Sequence, residues 1–170
     1  IELDWYDGKK AYRYDILPVI CYFKIKIPQK FLDQIELIFK DSNKNNLAVD
    51  NLAYRFKNGP IETEDFPGYF YVPYYTDYVT DRTGDVISLK NYRRRNKIEH
   101  KKWTVSKPVQ AKNIKGGYYY GRGKRDYDDA EGLSRHRFLA LTFLPYKTDP
   151  MSLVVNHKNG IPGNDWLNNL

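Results

Sequence analysis

The stretch from Arg82 to Arg125 limits the architecture of this chain more than any other feature. It holds 14 Lys/Arg against 2 acids, a net of +12, whereas the whole 170-residue chain carries +7 and the remainder therefore sums to −5. Within it, residues 90–115 show no clean hydrophobic period, which predicts a loop or hairpin. Regular structure is to be sought mainly on either side. Such segregation of charge suits a polyanion-binding surface, because each neutralised phosphate releases counterions. A solvated basic loop would read the same from charge alone. Interleaved aromatics (Tyr92, Trp103, Tyr118, Tyr119, Tyr120) favour nucleic acid, since rings stack on bases while cations hold phosphates, although core or strand packing accounts for most such rings equally well.

The chain is long enough for one compact domain or two small ones. Its longest apolar stretches, such as Phe138 to Pro145, fall short of the roughly 20 residues needed to span a bilayer. Ile1-Glu2-Leu3-Asp4-Trp5 has no signal-peptide pattern, and the absence of an initiator Met together with the closing Leu170 reads as a chain cut at both ends. Cys21 is the single cysteine, so an internal disulfide and cysteine-rich zinc knuckles are excluded and a reducing compartment fits.

Residues 35–39 and 53–56 are short apolar runs either side of an Asn/Lys/Ser/Asp-rich segment, which predicts two strands joined by a long turn. The Tyr-rich segment 69–79, the turn Asp81-Arg82-Thr83-Gly84 and the alternating Val86-Ile87-Ser88-Leu89 predict a β-meander, and Gly116-Gly117 lead into a further aromatic strand at Tyr118–Tyr120. Ser134 is placed to cap a helix from Arg135 to about Leu144, with Phe138, Leu141 and Leu144 on one face beside Leu139 and Phe143; Pro145 ends it. Leu153-Val154-Val155 reads as a buried strand leading into Asn156-His157, with Gly160 and Gly163 shaping the turn behind it.

A repeat accompanies this layout. At an offset of 118, Ile35–Leu52 lies over Leu153–Leu170 with four identities in 18 positions, namely Lys40/Lys158, Asn46/Asn164, Asn51/Asn169 and Leu52/Leu170. After a one-residue gap, Val19–Pro28 lies over His136–Pro145. A chance likeness of two Asn-rich strand–turn–strand units is the competing reading. If the copy is real it is chemically dead, because Ile38 and Phe39 stand where Asn156 and His157 stand in the other.

His157, at a strand end before a Gly-bearing turn, would sit rigidly at a surface edge, where a neutral imidazole can take a proton from water. Asn156 can offer its carbonyl oxygen to a hard cation. Asn169, 12 residues after His157, can bond the loop backbone and fix the histidine. His136 at a helix start reads as packing or a phosphate contact, with no evident metal partner.

The run Asn156-His157-Lys158-Asn159-Gly160 closing on Asn169-Leu170, preceded by His136-Arg137-Phe138-Leu139-Ala140-Leu141-Thr142-Phe143, resembles the HNH family of nucleases with its ββα-metal hairpin. Phe66-Pro67-Gly68-Tyr69 and Tyr78–Ser88 look like the small β module that precedes the HNH domain in phage homing endonucleases, so the likeness covers about residues 64–170. The resemblance implies an α+β fold: a degenerate HNH-like unit over 1–60, a β module with basic loops over 61–125, and an HNH domain over 126–170 that stops before its last helix. It implies metal-dependent hydrolysis of DNA phosphodiester bonds in the cytoplasm of a phage's host. His157 would be the general base supported by Asn169, and Asn156 would hold part of one Mg²⁺ or Mn²⁺ ion, with no zinc and a further ligand from beyond Leu170. Double-stranded DNA would meet Arg93, Arg94, Arg95, Lys97, Lys101, Lys102, Lys115, Arg122, Lys124 and Arg125, together with His136 and with Arg135 and Arg137 at the helix start, for which two a structural salt bridge is an equal alternative. No membrane partner is implied. The alternative is a non-catalytic nucleic-acid-binding protein on an HNH scaffold, which the intact Asn156, His157 and Asn169 argue against.

Overall fold

A computed structural model describes residues 16–89, 109–110, 119–126 and 131–170. Its elements are small antiparallel sheets and short helices, a mixed α+β architecture. Helix α1 (Leu17–Tyr22) is followed by strands β1 (Ile35–Phe39) and β2 (Leu52–Phe56), which form a two-stranded hairpin in the register Ile35↔Phe56 to Phe39↔Leu52. Strands β3 (Phe70–Tyr71), β4 (Tyr78–Thr80) and β5 (Val86–Ser88) form the meander, and β6 (Val109–Gln110), β7 (Tyr119–Lys124) and β8 (Glu131–Ser134) a third sheet. That third sheet runs across position 125/126, between the two expected C-terminal units. Helix α2 (Arg135–Phe143) follows β8 directly and packs on β4, β7 and β8.

The Tyr-rich segment is strand only at its two ends. Between them, residues 72–77 form a buried loop held by two tyrosines that satisfy each other's backbone. The Tyr74 hydroxyl donates to Tyr54 C=O (2.9 Å) and accepts from Tyr54 N–H (2.8 Å), while the Tyr54 hydroxyl accepts from Tyr74 N–H (2.6 Å). Both side chains are fully buried, so these bonds answer groups that water cannot reach. They also hold Tyr74 at a φ of 67°, a left-handed conformation that a bulky residue rarely adopts.

One core joins the hairpin, the meander and α2. Ile35, Leu52, Tyr54, Tyr71, Val72, Val79 and Ile87 share a cluster with Phe138 and Leu141 from the helix, and the Phe138 ring lies 4.9 Å from that of Tyr75. Thr76 fastens the third sheet to this body, its N–H and hydroxyl both donating to Asp126 Oδ2 at 2.6 Å. Burial pushes the Asp126 carboxyl up to about 6 in spite of those bonds.

Two sequence expectations need correction here. Ser134 stands at the N-cap position of α2 in extended backbone, but its side chain makes no capping bond. Residues 153–155 are not a buried strand: Leu153 is 42 % and Val154 90 % exposed. Among the described residues no strand lies alongside them as β2 lies beside β1. Their approach is held instead by the Arg137 guanidinium, which donates to the carbonyls of Pro150, Met151 and Leu153 at 2.8 to 3.1 Å.

The offset of 118 recurs in the hydrogen bonds. Lys40 N–H to Asn51 C=O (2.8 Å) matches Lys158 N–H to Asn169 C=O (2.7 Å). The Asn51 side chain accepts from Asp41 N–H and donates to Asn46 C=O; Asn169 accepts from Asn159 N–H and donates to Asn164 C=O. Asp41 Oδ1 accepts from Asn43 N–H as Asn159 Oδ1 accepts from Ile161 N–H. Ser42 at φ 65° matches Gly160 at φ 67°, and the 3-10 turn Val49–Asn51 matches Leu167–Asn169. Four identities in sequence therefore understate the likeness, because every one of these bonds has a backbone atom on at least one side and Asp41 and Asn159 accept alike without being identical.

Candidate functional site

The first turn of α2 and the loop from Asn156 to Leu170 meet at one polar cluster. His157 Nε2 lies 2.8 Å from Asp165 Oδ1, and Arg135 Nε donates to Asp165 Oδ2 at 2.7 Å. Arg135 also donates from Nη2 to Gly163 C=O at 3.1 Å, tying the helix start to the far side of the loop. The His136 and His157 rings stand edge to face with centroids 5.3 Å apart. Ligand atoms of His136, His157 and Asp165 all lie within 4.8 Å of one another. Burial, opposed by the Asp165 charge, holds His136 below the usual imidazole range.

The loop owes its shape to Asn169, whose side chain donates to Asn164 C=O (2.7 Å) and Asn159 Oδ1 (3.1 Å) and accepts from Asn159 N–H (3.2 Å). These bonds fix the loop that carries His157. Gly160 and Gly163, at φ 67° and 86°, shape the turns between. A third glycine acts from the meander: a Cβ on Gly84 (φ 83°) would lie 2.6 Å from Arg135 Cγ and 2.7 Å from Cδ. The bare backbone of that turn thus leaves room for the arginine that holds Asp165.

Several expected site residues lie elsewhere than sequence reasoning put them. His157 is not at an open edge but 6 % exposed, because Asp165 draws its ring into the loop. His136 is not without metal-ligating neighbours, since the helix start turns it toward His157 and Asp165. Asn156 is exposed. Arg135 and Arg137 spend their guanidinium groups on Asp165 and on backbone carbonyls. Arg125 follows β7, with Nη1 3.9 Å from Met151 Sδ, while Arg122 and Lys124 fall within β7. Arg93, Arg94, Arg95, Lys97, Lys101, Lys102 and Lys115 lie outside the described residues.

Asp165 is the residue that sequence reasoning missed. Its signal was an acid in an otherwise Asn-rich loop, eight residues after the candidate histidine. On its outer side the same loop carries an open cleft lined by Lys158, Asn159, Asn164, Trp166, Asn168 and Asn169, with the Trp166 ring 66 % exposed. A scan against protein-family models and searches of characterised proteins and of solved structures found no match.

Proposed function

We propose that this chain is a DNA endonuclease of the HNH type, with His157 as the base that takes a proton from the attacking water. The observation that carries the reading is the buried His157–Asp165 pair in a loop stapled by Asn169. A carboxylate on Nε2 favours the tautomer with its proton there, which puts the lone pair on Nδ1 and orients the ring. Asp165 and Arg135 act as positioning residues, holding that orientation against the rotations open to an isolated side chain. The Arg135 guanidinium also offsets the carboxylate charge, and α2 brings its N-terminal, partially positive end to the same place. Exposed Asn156, next in the chain to His157, is available to hold in part an Mg²⁺ or Mn²⁺ ion, which would stabilise the charge gathering on the phosphate. Affinity for DNA comes in this reading from the basic stretch and from the cleft at Lys158 and Trp166, which a cation and an exposed ring line together.

Gel-shift and plasmid-nicking assays with Mg²⁺ or Mn²⁺ test the reading on the full chain. His157→Ala is expected to shift DNA as the wild type does and to lose nicking. Nicking by the variant at close to the wild-type rate overturns the base assignment. DNA binding without nicking by the wild type favours the non-catalytic binding protein.

A further inference from the structure

The expected cation is hard and takes oxygen ligands, yet the described side chains that converge are of another kind. His136 and His157 bring two imidazole nitrogens and Asp165 one carboxylate. Mg²⁺ prefers six oxygens in an octahedron, whereas two nitrogens and one oxygen suit Zn²⁺, Co²⁺ or Ni²⁺. Around a tetrahedral Zn²⁺ with bonds of about 2.0–2.1 Å, ligand atoms stand roughly 3.3 Å apart. The present limit of 4.8 Å therefore asks the widest pair to close by about 1.5 Å. Arg135 on Oδ2 fixes the carboxylate plane, the outer-shell support that metal sites rely on, and Oδ1, which holds His157 Nε2 when no ion is bound, is the oxygen turned to the two rings.

The N-terminal twin supplies an independent observation. Val19, Phe39 and Leu47 stand at the positions of His136, His157 and Asp165, and Pro18 at that of Arg135. Loop geometry is retained there down to the hydrogen bonds of Asn51, while all four polar groups are gone. Val19 is fully buried in the cluster against which Phe39 packs. The loop fold does not need the polar set, and the set is present or absent as a whole, as expected of residues that serve one ligand.

We propose that His136, His157 and Asp165 form a binding site for one borderline transition-metal ion, with Zn²⁺ as the reference case and at least one coordination position left for water or another ligand. The site goes beyond the nuclease reading and, while occupied, excludes it, because an ion there replaces the His157–Asp165 hydrogen bond and withdraws that ring from proton transfer; its test uses no DNA. The metal-free full chain is titrated with ZnCl₂ by calorimetry and with CoCl₂ by visible absorption. One Zn²⁺ per chain is expected, with the intense bands of low-coordinate Co²⁺, and excess MgCl₂ does not displace either. His136→Gln lowers zinc affinity by about tenfold or more, given that even outer-shell changes cost about 10–100-fold. His100→Gln, at the remaining histidine, leaves it unchanged. Millimolar or weaker zinc binding, or equal affinity in His136→Gln, overturns the proposal. X-ray absorption of the zinc-loaded wild type decides without any variant, including where a variant fails to fold. Two imidazole ligands are expected; fewer than two refute the site.

Discussion

Replacing Asn51 by Ala tests what an asparagine staple contributes to each of the twin loops. Asn51 is 9 % exposed, and its side chain makes two bonds at 2.9 Å, from Asp41 N–H and to Asn46 C=O. A net hydrogen bond contributes about 0.5–1.5 kcal/mol, and a stranded buried group costs about 1–3 kcal/mol. Asp41 is exposed and Asn46 partly so, which lets water recover some of the loss and brings the expected cost to about 2 kcal/mol. Asn169→Ala breaks two longer, exposed bonds and one short, half-buried bond to Asn164 C=O (2.7 Å), and because Asn169 is less buried than Asn51 the change is expected to cost about 1 kcal/mol of global stability. Its effect on nicking is expected to be larger than its effect on stability, because the loop it releases carries His157. Urea titration of both variants, paired with plasmid nicking at a temperature where both are folded, separates the effects. A change below 0.5 kcal/mol for Asn51→Ala, or equal loss of nicking by both variants, refutes the reasoning (a threshold at about the noise of surface substitutions).

Gly84→Ala puts a Cβ into Arg135 and strains a left-handed turn, so it is expected to cost about 1–3 kcal/mol and to lower nicking more than a meander-only defect would. Retention of both in thermal melts and nicking assays counts against the coupling. Asp126 titrates at about 6 in the fold and near 3.8 unfolded, so between those values the folded state binds more protons. Its contribution is favourable at low pH and is lost as pH rises through about 6, by roughly 3 kcal/mol at most. Urea titrations from pH 4 to 7.5 are expected to show this slope flattened in Asp126→Asn. Neutralising Arg93, Arg94 and Arg95 together is expected to weaken DNA binding for all sequences alike and to reduce its salt slope by about 3. An unchanged slope sinks that assignment.

Local chemistry was the part of the fold legible in the sequence. The hairpin strands, the meander with its Asp81–Gly84 turn, and helix Arg135–Phe143 follow from apolar period and turn residues, which act over a few neighbours. Residues 153–155 misled because Leu-Val-Val carries strand propensity, whereas a strand also needs a neighbour to take its hydrogen bonds. Asn169 could be read as a loop staple from its residue type and distance from His157. Asp165 could not, because its role is set by Arg135, 30 positions earlier, and by a ring turned inward. His136 was read as a local helix-start residue, when the bend of the loop decides what it faces.

The paired tyrosines bear on how such a chain can be inherited. Tyr54 belongs to the hairpin and Tyr74 to the loop inside the meander, and each completes the other's backbone. A recombination junction near residue 60 would look natural, falling at Gly59-Pro60 between two regular units. It would nevertheless deliver each half with open main-chain groups at the centre of its apolar face, and neither half would meet a matching tyrosine in an unrelated host. The hairpin and the meander must therefore be inherited together, and the helix Arg135–Phe143 with them, because its Phe138 and Leu141 complete the same core.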